Sequence, residues 1–348
     1  MSSFSWPGPV TRPADFSQIL AVLRRERPAR PTLFEFFLNA PLYRLLAGPD
    51  AERAFDNGDL TWEELQVHAY HHAGYDYVTV RGSEFDFPHR EQHREKTISL
   101  NEGALITDRA SFEALPWIDP DACDYSRLDR LARVAPAGMK LIVWGPGGVL
   151  ENVIRMIGYD HLCFMLADEP ALAGDVFDAV GARLLRYYEN CLPHPAVGAI
   201  ISNDDWGFKS QTMLAPDDMR RYVFPWHARI VAAAHAAGKP AILHSCGNLT
   251  AVMNDVIDVM KFDAKHSYED IIQPVEDAYD TYGGRIAILG GIDVDFVCRA
   301  TPQQIYDRSR AMLARTAQRG SYALGTGNSV PEYVPQANYF AMINAARA

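Results

Sequence analysis

His244 and Cys246 stand two positions apart in the run PAILHSCG, from Pro240 to Gly247. On a β-strand, residues i and i+2 project to the same face, so an imidazole and a sulfur there can converge on one point. Nitrogen and thiolate donors are what Zn²⁺ takes in a tetrahedral shell. Gly247 and Asn248 read as a tight turn into LTAVMNDVIDVM, a helix whose N-terminus would lower the thiol pKa. The alternative is a barrel-interior histidine beside a small buried cysteine, which is how most free cysteines behave.

Other polar residues close apolar runs: Glu84, Asn203, Asp204, Asp205, His266, Glu269, Asp293 and Thr326. Several have more than one reading. Asp204-Asp205-Trp206 is a pocket wall, a solvated lip or a helix-cap turn. Glu269-Asp270 either lines a pocket or opens a helix, where the dipole favours acids. His266 is either a catalytic proton carrier or a hydrogen-bonded histidine closing a strand. Gly145-Pro146-Gly147-Gly148 lacks the Lys-Ser/Thr ending of a phosphate-cradling loop and reads as a plain connection.

The elements that must position these residues follow a rhythm of short apolar run, break and helical pattern. The runs are TLFEFF from Thr32, DYVTVRG from Asp76, KLIVWG from Lys140, AVGAIIS from Ala196, PAILHSCG, FDAKHS from Phe262, RIAILGG from Arg285 and YALGTGN from Tyr322. Near-continuous apolar runs are expected of parallel strands buried on both faces. Helix starts stand at Pro216-Asp217-Asp218 and Thr301-Pro302, with stops expected at Gly238 and Gly320. Eight strands alternating with helices predict an α/β fold, a (β/α)8 TIM barrel. An open doubly wound sheet would need a G-x-G-x-x-G turn after its first strand, and none is there. The reading is one barrel domain over 1–348, with 1–30 as an N-terminal extension. KTISLNEGALITD, inside the long interval after the second run, reads as a hairpin insertion. Catalytic groups of such barrels sit at the C-terminal ends of the strands.

Across 348 residues, 33 Lys+Arg face 44 Asp+Glu, a net charge of −11. That balance argues against nucleic acid as a partner, since phosphate neutralisation needs clustered basic residues. The start MSSFSWPGPVTRPADF lacks the pattern of a signal peptide, and no stretch of about 18 apolar residues is present. Five scattered cysteines, an odd number, point to a reducing compartment without a disulfide framework. A soluble, cytoplasmic protein that does not engage membranes is expected.

Three segments, LHSCGNL (Leu243–Leu249), ILGGIDV (Ile288–Val294) and LGTGNSVPEYVPQANYFAM (Leu324–Met342), resemble the uroporphyrinogen decarboxylase superfamily, and within it the corrinoid-linked methyltransferase branch. SFEALPWIDPDACDYSRL and RMIGYDHLCFMLADEPAL look similar too, and the likeness runs from about Asp76 onward. The resemblance implies the same barrel. Its decarboxylases bind propionates with an arginine-rich N-terminal motif, a pattern that Arg24, Arg25, Arg27 and Arg30 do not form. They also use an aspartate and a histidine where Glu84 and Thr326 align. Both departures argue against decarboxylation of a tetrapyrrole.

The methyltransferases of the superfamily build a zinc site from His-x-Cys and a distant cysteine, which implies His244 and Cys246 as ligands and puts Thr326 at the third place. Threonine is a poor ligand, so a carboxylate or imidazole must replace it. Glu84 is the first choice, with Asp204 and His266 behind it. His266, Asp204 and Glu269 are the catalytic candidates, His266 or a carboxylate supplying a proton to the leaving group. An oxygen ligand makes zinc a stronger Lewis acid, which favours a methyl ether or methylamine type substrate over a thiol. The resemblance further implies cobalamin carried by a separate corrinoid-binding protein; a homodimer is compatible with all of this. The competing expectations are a metal-free decarboxylase or lyase acting on a carboxylate, and a catalytically silent barrel that only binds.

Overall fold

The computed structural model describes residues 4–89, 100–101 and 104–347. Seven of the eight runs form strands: β1 (Tyr77–Arg81), β2 (Lys140–Trp144), β3 (Val197–Asn203), β4 (Ala241–His244), β5 (Ala264–His266), β6 (Ala287–Leu289) and β7 (Tyr322–Ala323). They pair in chain order and all in parallel. Leu141, Ile142 and Val143 on β2, and Ile288 and Leu289 on β6, are buried on successive positions. Burial of both faces is what near-continuous apolar runs dictate.

The first run departs from the eight-strand expectation. TLFEFF meets β7 through a single parallel bridge, Leu33 to Leu324. Phe34 N–H donates to Leu324 C=O (2.8 Å) and Leu324 N–H to Thr32 C=O (2.9 Å). Toward β1 the same run is tied by side chains: the Tyr77 hydroxyl donates to Glu35 C=O (2.9 Å) and the Thr79 hydroxyl to Phe36 C=O (2.6 Å). Phe34 stacks on Tyr77 at this seam instead of a ladder.

Helices cover the sheet. Pro170–Cys191 packs Val176, Phe177, Val180 and Leu184 inward, and Trp62–Ala73 opens on a Thr61–Glu64 capping box and closes on Gly74 in the left-handed region. The segment opened by Pro216-Asp217-Asp218 is one α turn, a π turn over Met219–Val223, then α-helix Phe224–Ala236. Gly238 stops it with φ +70°, as expected. The later helix, Pro302–Thr316, ends before Gly320.

At the opposite end from the strand tips, helix Phe16–Leu23, capped by Asp15, sets its Phe16 ring against Gly198 at the start of β3. The expected hairpin falls largely outside the described residues; 104–108 form no strand, and Leu105 and Ile106 N–H both donate to Met156 C=O. Among the described residues, no helix is long and apolar enough to cross a membrane.

Candidate metal centre at the strand tips

β4 and β5 run in register so that His244 and His266 are cross-strand partners. Both rings are buried, and their Nδ1 atoms lie 2.8 Å apart. His266 Nε2 is 3.3 Å from Thr326 C=O, an atom that only accepts. Burial holds His266 well below the usual imidazole value, and burial with Lys265 nearby lowers His244 to about 3, so both rings are neutral. The hydrogens then have one arrangement. His266 donates from Nε2, accepts at Nδ1 from His244, and leaves the His244 Nε2 lone pair free. That lone pair faces Cys246 Sγ at 3.8 Å and Asp205 Oδ1 at 4.0 Å.

Asp205, His244 and Cys246 present ligand atoms within 4.8 Å of one another. The loops after β3 and β4 bring them together. Asp204 N–H donates to His244 C=O (2.9 Å), and Cys246 N–H donates to Asp205 Oδ1 (2.9 Å). Gly247 is required at this crossing, with φ +85°, because a Cβ there would lie 2.0 Å from Gly207 O.

Two donors reach the sulfur: the Ser267 hydroxyl at 3.3 Å and the Asn328 amide at 3.2 Å. Ser267 is a non-glycine residue at φ +85°, a strained conformation. Lys265 holds it there, Nζ donating to Ser267 C=O (2.5 Å) and, at 3.4 Å, to Ser245 C=O. The same ammonium lies 4.2 Å over the Tyr268 ring, and burial lowers it to about 8. Burial first, then the Asp205 charge, pushes the Cys246 thiol up to about 12. This corrects the expected helix-lowered thiol. The chain after Asn248 makes a 3-10 turn (Thr250–Val252) and a π turn, too short a dipole to offset burial. A divalent cation between the three side chains would supply the charge that lets the sulfur shed its proton.

The remaining sequence candidates separate. Glu84 is a correction: its side chain is 82% exposed and paired with Arg127, away from the cluster, and Asp205 occupies the place expected of it. Asp204 is fully buried with both oxygens committed. They accept from Leu150 N–H and Glu151 N–H (2.9 Å each), while His227 Nε2 lies 2.9 Å from Oδ2. Asp204 thus caps helix Val149–Ile157 from the neighbouring loop. Thr326 is not among the clustered Asp205, His244 and Cys246, and its hydroxyl lies 2.7 Å from the Glu35 carboxyl. Glu269 lines a cavity of about 640 Å³ with Tyr268, Asp293, Asn328, Ser329 and Tyr333. Asn328 joins this cavity to the sulfur, and its size suits a small-molecule site.

Sequence reasoning passed over Ser267, Lys265, Asn328 and Glu151. The Glu151 carboxyl is pushed up to about 8 by burial and then by the charges of Asp204 and Asp205, so it holds a proton at neutral pH. Lys265 and Glu35 carried a legible signal, a charged residue inside an apolar run, and Asn328 stood in the segment LGTGNSVPEYVPQANYFAM; Ser267 and Glu151 had none.

Residues 129–348 match the uroporphyrinogen decarboxylase (URO-D) family. The chain belongs to that family. A stretch of 143 residues, 40% of the chain, is 29% identical to a methylated-thiol–coenzyme M methyltransferase of Methanosarcina mazei, and spans 35% of that relative's length. Over 257 residues, 71% of the chain and 70% of the relative, it is 25% identical to a uroporphyrinogen decarboxylase of Anaeromyxobacter dehalogenans. Among solved structures, a methyltransferase from Methanosarcina mazei superposes with a TM-score of 0.67 over 95% of this chain and 97% of that one, at 14% identity. That likeness is one of fold.

Proposed function

We propose that the protein is a zinc-dependent methyltransferase that moves a methyl group between a small methylated substrate and the cobalamin of a separate corrinoid protein. The observation that carries this reading is the Asp205–His244–Cys246 cluster with its neutral, lone-pair-out His244. Three protein ligands of mixed type leave a fourth position for substrate, the pattern of a catalytic rather than a structural zinc site. The methyltransferase relative supports it further.

When bound, zinc supplies Lewis acidity toward the heteroatom that carries the methyl group. Asp205, His244 and Cys246 would hold it, and His266 keeps His244 in the ligating tautomer through the 2.8 Å contact. A carboxylate in place of a second sulfur favours an oxygen- or nitrogen-linked methyl, of methyl ether or methylamine type. Glu151, kept protonated by burial and by the charges of Asp204 and Asp205, is the proposed donor of a proton to the departing heteroatom. His266 has both ring nitrogens engaged and acts by positioning. Glu269 and Tyr268 line the cavity where the substrate body would lie.

Metal analysis with turnover tests this. About one zinc per chain is expected, lost in His244→Ala and Cys246→Ala, together with methyl transfer from a methyl ether or methylamine to free cob(I)alamin. A second reading, a metal-free decarboxylase, is favoured by the decarboxylase relative that covers more of the chain. Metal-free protein releasing CO₂ from a carboxylic acid would establish it instead. Neither metal nor turnover would leave a binding protein.

A further inference from the structure

Glu35 lies in the first apolar run and is fully buried, yet none of the ion pairs among the described residues includes it. Among the described residues its carboxyl hydrogen-bonds to Thr326 alone. Oε1 accepts from Thr326 N–H at 2.7 Å, and Oε2 lies 2.7 Å from the Thr326 hydroxyl. That hydroxyl also touches Asn328 C=O. A hydroxyl has one hydrogen, and a carbonyl can only accept. The Thr326 hydrogen is therefore spent on Asn328, and the hydrogen between Thr326 and Glu35 must come from the acid.

From Thr326 two paths lead to the proposed ligands. Its carbonyl accepts from His266, which accepts from His244. Its hydroxyl fixes the Asn328 backbone, and the Asn328 amide donates to Cys246 Sγ. We propose that Glu35 stands as a neutral carboxylic acid and is the positioning residue that, through Thr326, fixes both the tautomer of the His244–His266 pair and the pose of Asn328 against the sulfur. The threonine at the place where a third sulfur was expected thus becomes the junction of a hydrogen-bonded frame. Burial supports the neutral form, raising the carboxyl to about 8 despite the two contacts from Thr326. The link to metal affinity rests on the reading of His244 and Cys246 as ligands; the tautomer link does not.

Two variants separate the acid from its shape. Glu35→Gln presents an accepting oxygen to Thr326 N–H and a donating amide to its hydroxyl, as the protonated acid does. Glu35→Leu presents neither. Histidine ¹⁵N NMR of the metal-free protein should show His244 protonated at Nδ1 and His266 at Nε2 in the wild type and Glu35→Gln, and mixed tautomers in Glu35→Leu. The infrared difference between wild type and Glu35→Gln should contain a protonated-carboxyl band. Co²⁺ should bind wild type and Glu35→Gln alike, and Glu35→Leu roughly 10–100-fold more weakly. Loss of the tautomers in Glu35→Gln, their survival in a folded Glu35→Leu, or absence of the infrared band would each overturn the proposal. Tautomers as expected in a wild type that binds no Co²⁺ would uphold Glu35 and remove the metal reading.

Discussion

Asp204 and Asp205 share a peptide bond and serve opposite ends of the site. Asp204 is sealed under helix Val149–Ile157 and beside His227, while Asp205, with 43% of its side chain exposed, meets Cys246 and His244. Replacing Asp204 by alanine leaves two helix amides and one imidazole without their partner. The expected cost is about 3–5 kcal/mol of stability, read as a large fall in the chemical-denaturation midpoint. Metal content per folded chain should change little.

Asp205→Ala should do the reverse. Stability should hold to within roughly 1 kcal/mol, as at other part-exposed positions, while zinc or Co²⁺ affinity drops at least tenfold. Glu84→Gln, which only releases Arg127, should leave metal affinity as it is. Equal loss in both variants would return Glu84 to the ligand set.

Glu35 and Glu151 both sit at about 8 in the folded chain against an ordinary 4.5. Folding therefore favours their protonated forms. The stability they contribute is complete below pH 4.5 and is lost as pH rises toward 8, by up to about 4 kcal/mol for one such group. His244 and His266, held below their ordinary value of 6.5, oppose this in acid, so calorimetry of the metal-free protein should show Tm falling between pH 7 and 8. Glu35→Gln should flatten that fall and be the more stable protein at pH 8. A Tm that climbs across this interval would contradict both assignments.

Gly148 opens the helix that Asp204 caps, and a Cβ there would lie 2.0 Å from the Asp204 side chain. Gly148→Ala should push the cap away, costing roughly 1–3 kcal/mol. Because the displaced loop also carries Asp205, a weaker Co²⁺ complex should accompany the lower denaturation midpoint.

Local patterns in the sequence were enough to find the strands and the His-x-Cys pair, because alternation and apolar runs are written within a few neighbouring residues. β2, β3 and β6 fall where KLIVW, VGAIIS and AIL predicted them. The third member of the cluster was not legible. Glu84 and Asp205 both end strands, and only the crossing of the loops at Gly207 and Gly247 decides which one turns inward. The thiol failed for a similar reason: LTAVMNDVIDVM looks helical, but its first turns are 3-10 and π, and burial outweighs so short a dipole. TLFEFF reads as a strand and makes one bridge, since its aromatic side chains and the Tyr77 and Thr79 hydroxyls take over the work of a ladder.

That lone bridge has a bearing on how the molecule is born. Leu33 must wait for Leu324, and Glu35 for Thr326, a gap of 291 positions. Every residue between them must be made before these partners exist, and contacts so remote along the chain are slow to close. The nascent protein thus carries its histidines and cysteine long before anything holds them in pose. Competence arrives only once Thr326 and Asn328 have been made, and a product cut short before Tyr322 should be unable to retain cobalt however well its earlier strands have formed.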